Sequence, residues 1–168
     1  MGLVLYLGLS PFFRNMALEK YQAKRKFNIT PEPKGEVKRR HLSRFVVQKH
    51  QASRLHYDFR LEHEGVLKSW AVPKGVPEQA GVKRLAVAVE DHPVNYINFS
   101  GIIPEGEYGA GTVEIWDKGK WQALEGDFKK GSLKFSLAGK KLKGEYVLVR
   151  LRDKKNWLIY KKMSNMVN

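Results

Sequence analysis

Two histidines and an aspartate, His50, His56 and Asp58, stand close together in the stretch FVVQKHQASRLHYDFRL, Phe45 to Leu61. Two neutral nitrogens and one anionic oxygen suit a borderline divalent ion such as Mn²⁺, Zn²⁺ or Co²⁺, with positions left open for water or substrate. Arg54 and Arg60 flank the trio. Guanidinium groups beside a metal site make sense when the ligand is a phosphate, because Arg pairs with it bidentately while the ion takes another oxygen. The competing reading of a His-x-Asp pair is a surface ion pair. Strand periodicity favours chemistry: Arg54, His56, Asp58 and Arg60 fall on one face, and Leu55, Tyr57, Phe59 and Leu61 on the other. In one straight strand, His50 and His56 would lie roughly 20 Å apart at about 3.3 Å per residue. A turn near Gln51 to Ser53 is therefore expected to fold His50 back onto His56.

Other candidates lie farther along the chain. His92 follows the strand-like run RLAVAVE, Arg84 to Glu90, and precedes Pro93. It reads either as a turn histidine or as a phosphate contact and general acid, with Tyr96 able to donate to the same oxygen. Lys74, between Pro73 and Gly75, and Arg84, at the head of a strand, sit at expected loop mouths, as phosphate contacts or as plain solubility charge. Arg40 and Arg44, with Lys38 and Arg39, lie in the aperiodic segment TPEPKGEVKRRHLSR, a basic arm that could contact phosphates or simply remain solvated. The glycine-rich GIIPEGEYGAG lacks GxxxxGK[ST] and precedes a β-like segment, which argues against a nucleotide-binding loop. Glu105 and Glu107 within it read as turn residues.

These side chains must be positioned by a small, basic, cysteine-free chain of 168 residues, enough for one domain with a real core. Its 31 Lys+Arg against 17 Asp+Glu give a formal charge of +14, and its pI is near 9.9. That balance favours a polyanionic partner, nucleic acid first. An anionic membrane surface is disfavoured because the basic residues are scattered and not gathered on one amphipathic helix. The absence of cysteine excludes disulfides and thiolate metal sites and fits a reducing, cytoplasmic setting. The apolar start GLVLYLGLSPFF is shorter than the ~20 residues of a spanning helix and lacks a basic n-region. Residues 1–15 are read as a tail outside the fold, with Met16 a second candidate start.

From there the pattern predicts a short helix over 16–26 and a basic arm to 44. Residues 45–163 then read as many short strands with Gly and Asp turns, and 164–168 as a tail. TVEIW and WQALEG are expected as two strands joined by a turn at Asp117 to Lys120. SLKFSL is expected to point Leu133, Phe135 and Leu137 inward. The expected fold is mainly β, a compact antiparallel barrel.

The runs FVVQKHQASRLHYDFRLEHEGVLKSWAVPKG, KRLAVAVEDHPVNY and GIIPEGEYGAGTVEIWDKG resemble the 3′-phosphoesterase domain of bacterial DNA ligase D, which also occurs in stand-alone form. The resemblance leaves residues 1–15 outside. It implies a barrel with a crescent-shaped groove and a Mn²⁺-dependent hydrolase that heals DNA 3′ ends. A phosphodiesterase step would remove a terminal ribonucleoside, and a phosphomonoesterase step the remaining phosphate. It assigns metal binding to His50, His56 and Asp58, and phosphate binding to Arg60, His92 and Tyr96. Secondary active-site roles fall to Lys74, Arg84 and Glu90, and His92 is the general-acid candidate. The implied partners are primer-template 3′ ends bearing a ribonucleotide or phosphate, and a separate ligase, polymerase and Ku-like end-binding protein; a monomer without membrane association is expected. The main alternative is a non-catalytic nucleic-acid-binding barrel using aromatics such as Trp116 and Trp121, to which a His/Asp/Arg face would be of no use. A third reading is a metal-dependent phosphoesterase acting on RNA ends or small phosphate esters.

Overall fold

The computed structural model describes residues 17–35 and 43–164. The expected N-terminal tail, the basic residues Lys38, Arg39 and Arg40, and residues 165–168 lie outside the described residues. The strands are β1 (Arg44–Gln51), β2 (Leu55–His63), β3 (Val66–Val72), β4 (Lys83–Pro93), β5 (Gly101–Ile103), β6 (Gly111–Asp127), β7 (Ser132–Gly139), β8 (Lys143–Arg150) and β9 (Asn156–Lys161). Among the described residues a short helix, α1 (Glu19–Ala23), precedes them, and a 3-10 helix (Val94–Asn98) follows β4. All strand pairs are antiparallel, in the order β1-β2-β3-β4-β9-β8-β7-β6, and β6 pairs back onto β1 to close an eight-stranded barrel. The short β5 adds to the free side of the first residues of β6.

Alternation along the strands sorts the side chains into two cores. Phe45 and Val47 of β1, Phe59 and Leu61 of β2, and Leu133, Phe135 and Leu137 of β7 point into the barrel and pack with Trp70, Tyr146, Trp157 and Ile159. The inward reading of SLKFSL is therefore correct. Each such side chain contributes roughly 1.5–3 kcal/mol by leaving water, and the barrel lumen is filled. The alternate residues of β1 face outward. There Val46 packs with Tyr21 of α1, with Tyr96 and Ile97 of the 3-10 helix, and with Phe99, Ile103 and Val113. The N-terminal segment and the 3-10 helix thus roof one outer face of the barrel. Five residues are too few for a helix to stand alone; α1 is shorter than the expected 16–26 and is held by the burial of Tyr21.

Two strands run on where the sequence suggested breaks. β4 continues through Asp91 and His92 to Pro93, and its pairing to β3 shifts: Ser69 faces Val89, but Leu67 faces His92. Glu90 and Asp91 therefore stand opposite Lys68 alone, a bulge that changes which side chains face the roof. β6 is a single 17-residue strand with no turn at Asp117 to Lys120. Its first half pairs with β1 and its second with β7. Asp117 is not a turn former. Its buried carboxylate accepts the backbone N–H groups of Lys140 (2.9 Å), Lys141 (3.1 Å) and Leu142 (2.8 Å), so it builds the β7–β8 turn from the neighbouring strand. Asp117→Ala should destabilise the fold by about 3 kcal/mol, because several donors lose a charged acceptor at once. An unchanged urea-denaturation midpoint would show that the carboxylate does not hold this turn.

Candidate metal and phosphate site

The turn after β1 lets β2 double back so that His50 and His56 are direct cross-strand partners, with ring centroids 4.7 Å apart. Asp58, two residues on, points to the same outer face. Ligand atoms of His50, His56 and Asp58 all lie within 4.8 Å of one another. They sit in a cleft of about 260 Å³ between the barrel wall and its roof.

Backbone carbonyls fix the tautomers of both imidazoles. His50 donates Nε2–H to the Gly109 carbonyl at 2.6 Å, which leaves Nδ1 facing Asp58 Oδ2 at 3.2 Å. His56 donates Nδ1–H to the Arg54 carbonyl at 3.0 Å, which leaves Nε2 facing Asp58 Oδ1 at 3.4 Å. Neutral rings in these tautomers aim two nitrogen lone pairs at a carboxylate. Such convergence is repulsive unless a cation or a proton sits between the groups, and orientation of ligating imidazoles by carbonyls is the usual outer support of a metal site. The donor set therefore fits a divalent ion. Without one, a proton on His56 can take its place: the hydrogen bond to Asp58 raises the His56 pKa above its ordinary value. Burial acts to raise the Asp58 pKa, but Arg60, His50 and His56 outweigh it and hold the carboxyl well below the usual range.

Arg60 completes this face. Its Nε donates to Gln48 Oε1 at 2.7 Å, and Gln48 is itself fixed by the carbonyls of Tyr96 and Phe99 at 2.9 and 3.0 Å. The guanidinium lies 4.8 Å from the Tyr96 ring centre, and one terminal nitrogen stands 3.5 Å from Asp58. The other, NH1, is buried with no partner. The remaining unpaired buried side-chain nitrogen or oxygen atoms among the described residues are Trp70 Nε1 and Trp157 Nε1, indoles of the barrel core, so among these buried atoms the charged donor is that of Arg60. An oxyanion is its natural complement.

The roof supplies residues that the sequence reading did not assign. Arg25 donates to Glu32 at 2.8 Å, to Glu90 at 3.4 Å and to His92 Nε2 at 3.3 Å. Tyr96 gives its hydroxyl hydrogen to the same buried Glu32 at 2.8 Å. Lys24 reaches the other oxygen of Glu90 at 3.0 Å. Burial opposes ionisation of Glu90, yet its own backbone N–H, Lys24 and Arg25 keep its carboxyl below the ordinary value. The only local sequence signal for Arg25 and Glu32 was a charged residue near a short helix and a Pro-rich loop.

His92 lies within β4, not past its end, and the bulge brings both it and Glu90 to the cleft. Its Nδ1–H donates to the Glu90 carbonyl at 2.9 Å, so Nε2 accepts from Arg25. Burial, then Arg60 and Arg25, lower its pKa well below the histidine norm. With Nδ1–H donating to that carbonyl and Nε2 accepting from Arg25, the contacts are those of a neutral ring.

The sequence of residues 48–150 matches the model of the DNA ligase D 3′-phosphoesterase domain. This chain belongs to that family. It is 53% identical over 153 residues to the multifunctional non-homologous end joining protein LigD of Pseudomonas aeruginosa, covering 86% of the chain and 18% of that protein. It is 43% identical over 155 residues to LigD of Mycolicibacterium smegmatis, covering 86% and 20%. The chain thus spans about a fifth of the length of these relatives.

Within this phosphoesterase fold, His50, His56, Asp58, Arg60, Glu90, His92 and Tyr96 converge on one cleft. Lys74 and Arg84 do not line it. They line a separate groove with Tyr57 and Trp116, where Arg84 is tied to the carbonyls of Lys74 and Gly75 at 2.8 and 2.9 Å. The Arg54 side chain is exposed in the turn, and its contribution is the carbonyl that orients His56. Arg44 sits at the far end of β1, paired with Glu62 at 2.9 Å.

Two linkage effects follow. In the metal-free protein, the raised His56 pKa contributes stability at pH below the ordinary histidine value and loses it as pH rises through the raised one; the depressed Asp58 contributes above the ordinary carboxylate value and loses it as pH falls through its depressed one. A bound ion must displace the His56 proton, so Mn²⁺ affinity should fall as pH drops below the raised His56 pKa. Mn²⁺ at 100 times its Kd should raise the unfolding free energy by about 2.7 kcal/mol, and Asp58→Ala should abolish that increment. Calorimetric unfolding with and without Mn²⁺ measures both; an increment retained in Asp58→Ala would place the ion elsewhere.

Proposed function

We propose that the protein is a metal-dependent phosphoesterase that heals DNA 3′ ends. It would hydrolyse the diester of a 3′-terminal ribonucleoside to leave a 3′-phosphate, and then that monoester to leave a 3′-hydroxyl and inorganic phosphate. The observation that carries this reading is the convergence of two histidine lone pairs and one carboxylate beside an unpaired buried guanidinium nitrogen. Membership of the 3′-phosphoesterase family supports the reaction class, and the LigD relatives support a place in end joining. A ligase, a polymerase and a Ku-like end-binding protein are then the natural partners, supplied separately or on the same polypeptide. Among the described residues, no helix is long and apolar enough to cross a membrane.

His50, His56 and Asp58 would hold the ion, for which Mn²⁺ is the first candidate and Zn²⁺ or Co²⁺ the next. A divalent ion in such a cradle supplies Lewis-acid polarisation of a phosphate ester. Arg60 NH1 donates to a non-bridging phosphate oxygen and offsets the charge that develops on it, the more effectively because Gln48 and Tyr96 hold the guanidinium rigidly. Burial is the larger cause of the depressed His92 pKa, and Arg60 and Arg25 add to it; a phosphate seated beside them offsets those two positive charges. His92 would thereby gain proton affinity in the loaded cleft and could then protonate the departing oxygen. Tyr96 serves as a positioning residue, its hydroxyl committed to Glu32. Glu32 and Glu90 fix Arg25 at the mouth of the cleft.

The alternative of a passive binding barrel loses one of its stacking residues. Trp121 is buried, and its Nε1–H is spent on the Glu62 carbonyl at 3.0 Å.

A labelled primer-template ending in one 3′ ribonucleotide should be shortened in the presence of Mn²⁺ to a 3′-phosphate and then a 3′-hydroxyl end, resolved on a sequencing gel. His56→Ala should leave it intact. Arg60→Ala should slow both steps by about 10²–10³-fold, as removal of a preorganised donor does. Near-normal turnover by a well-folded His56→Ala protein would refute the assignment.

A further inference from the structure

We propose that a basic groove at the far end of β1 docks the phosphates of the DNA duplex upstream of the 3′ end. This deepens the functional reading above and rests on it. The groove, of about 370 Å³, is lined by Arg44, Lys118, Lys120 and Lys140 beside Ile97 and Asn98.

Three features separate it from the general excess of positive charge. Lys118, Lys120 and Lys140 are exposed, and their ammonium groups have no acidic partner among the described residues. Arg44 and Lys120 are direct cross-strand partners. Like charges opposite each other in an antiparallel pair weaken the sheet, and Glu62 relieves only Arg44. The arrangement works against folding, so folding does not explain it. Finally, the place of Lys140 is built. Asp117 is buried and spends its carboxylate on the N–H groups of residues 140–142, and Gly139 packs so closely beneath that a side chain there would strike Asp117 and Phe45. This carboxylate fixes the lysine turn and leaves its charge uncancelled.

The groove and the catalytic cleft share one barrel face. Arg44, Val46, Gln48 and His50 alternate onto the outer side of β1, and Lys120 and Lys118 pair with Arg44 and Val46 on that side. Six residues of strand put the two ends roughly 20 Å apart, the axial length of about six base pairs at 3.4 Å each. A 3′ end in the cleft therefore brings its own duplex to the lysines, whereas a bound mononucleotide would not reach them. A flexible single strand would have no fixed register with the groove.

The test is fluorescence anisotropy without added metal, using a fluorescein-labelled primer-template with a recessed 3′-phosphate, titrated at several KCl concentrations. It compares the wild type with Lys118→Ala/Lys120→Ala/Lys140→Ala. A second triple variant, Lys129→Ala/Lys130→Ala/Lys155→Ala, removes equal charge from turns outside the groove. The groove variant should lose at least tenfold in affinity. Its plot of log affinity against log salt should flatten by about 2.7, at about 0.9 for each lost phosphate contact; the control variant should keep the wild-type slope. Shortening the duplex below about six base pairs should erase the difference between the wild type and the groove variant. Equal slopes for both triple variants, or an equal loss on a single-stranded oligonucleotide, would overturn the docking surface. Failure of the wild type to bind or trim the primer-template would overturn the functional reading beneath it.

Discussion

Asp58 is ionised while nearly buried, and most of the outer barrel face is arranged around that fact. Desolvating a carboxylate is costly unless partners surround it, and here two imidazoles and a guanidinium do so. Each partner is held from behind. His50 leans on the Gly109 carbonyl, His56 on the Arg54 carbonyl, and Arg60 on Gln48 and the Tyr96 ring. The glycine-rich loop therefore acts as a support for the His50 imidazole. At Gly109 the backbone takes φ +76, which glycine adopts without penalty, and the carbonyl that it offers fixes the His50 tautomer.

The barrel itself explains why the candidate site lies outside it. Phe45, Phe59, Trp70, Phe135, Tyr146 and Trp157 pack together in the lumen. The strands instead present their alternate residues to a second layer made of α1, the 3-10 helix and β5. That layer excludes water from the cleft on one side and delivers Arg25, Glu32 and Tyr96 to it. The bulge in β4 completes the arrangement, since unbroken alternation would not bring Val89, Glu90 and His92 to the same cleft.

Reading the sequence by period and turn chemistry located the trio, the turn that joins β1 to β2, the closed barrel and the inward face of β7. These depend on neighbours close in the chain. What it missed depends on contacts between distant segments. Arg25 and Glu32 gain meaning only when the N-terminal segment lies across β4, dozens of residues away. Asp117 looked like a turn residue because Asp-Lys-Gly normally is one, yet it shapes a turn more than twenty residues downstream. His92 looked like a loop residue because Pro93 follows it, but the pairing to β3 resumes past the bulge as far as Pro93, and Pro in a strand is tolerated at bulges. Lys74 and Arg84, matched to the site by family resemblance, occupy a different groove in this conformation.

The most direct test of the central claim is a crystal structure of the protein with Mn²⁺ and inorganic phosphate, with the ion located by its anomalous scattering. The account predicts one strong peak bonded to His50 Nδ1, His56 Nε2 and an Asp58 oxygen, with a phosphate oxygen within hydrogen-bonding distance of Arg60 NH1. An ion elsewhere, or a phosphate seated between Lys74 and Arg84 with the cleft empty, would contradict it.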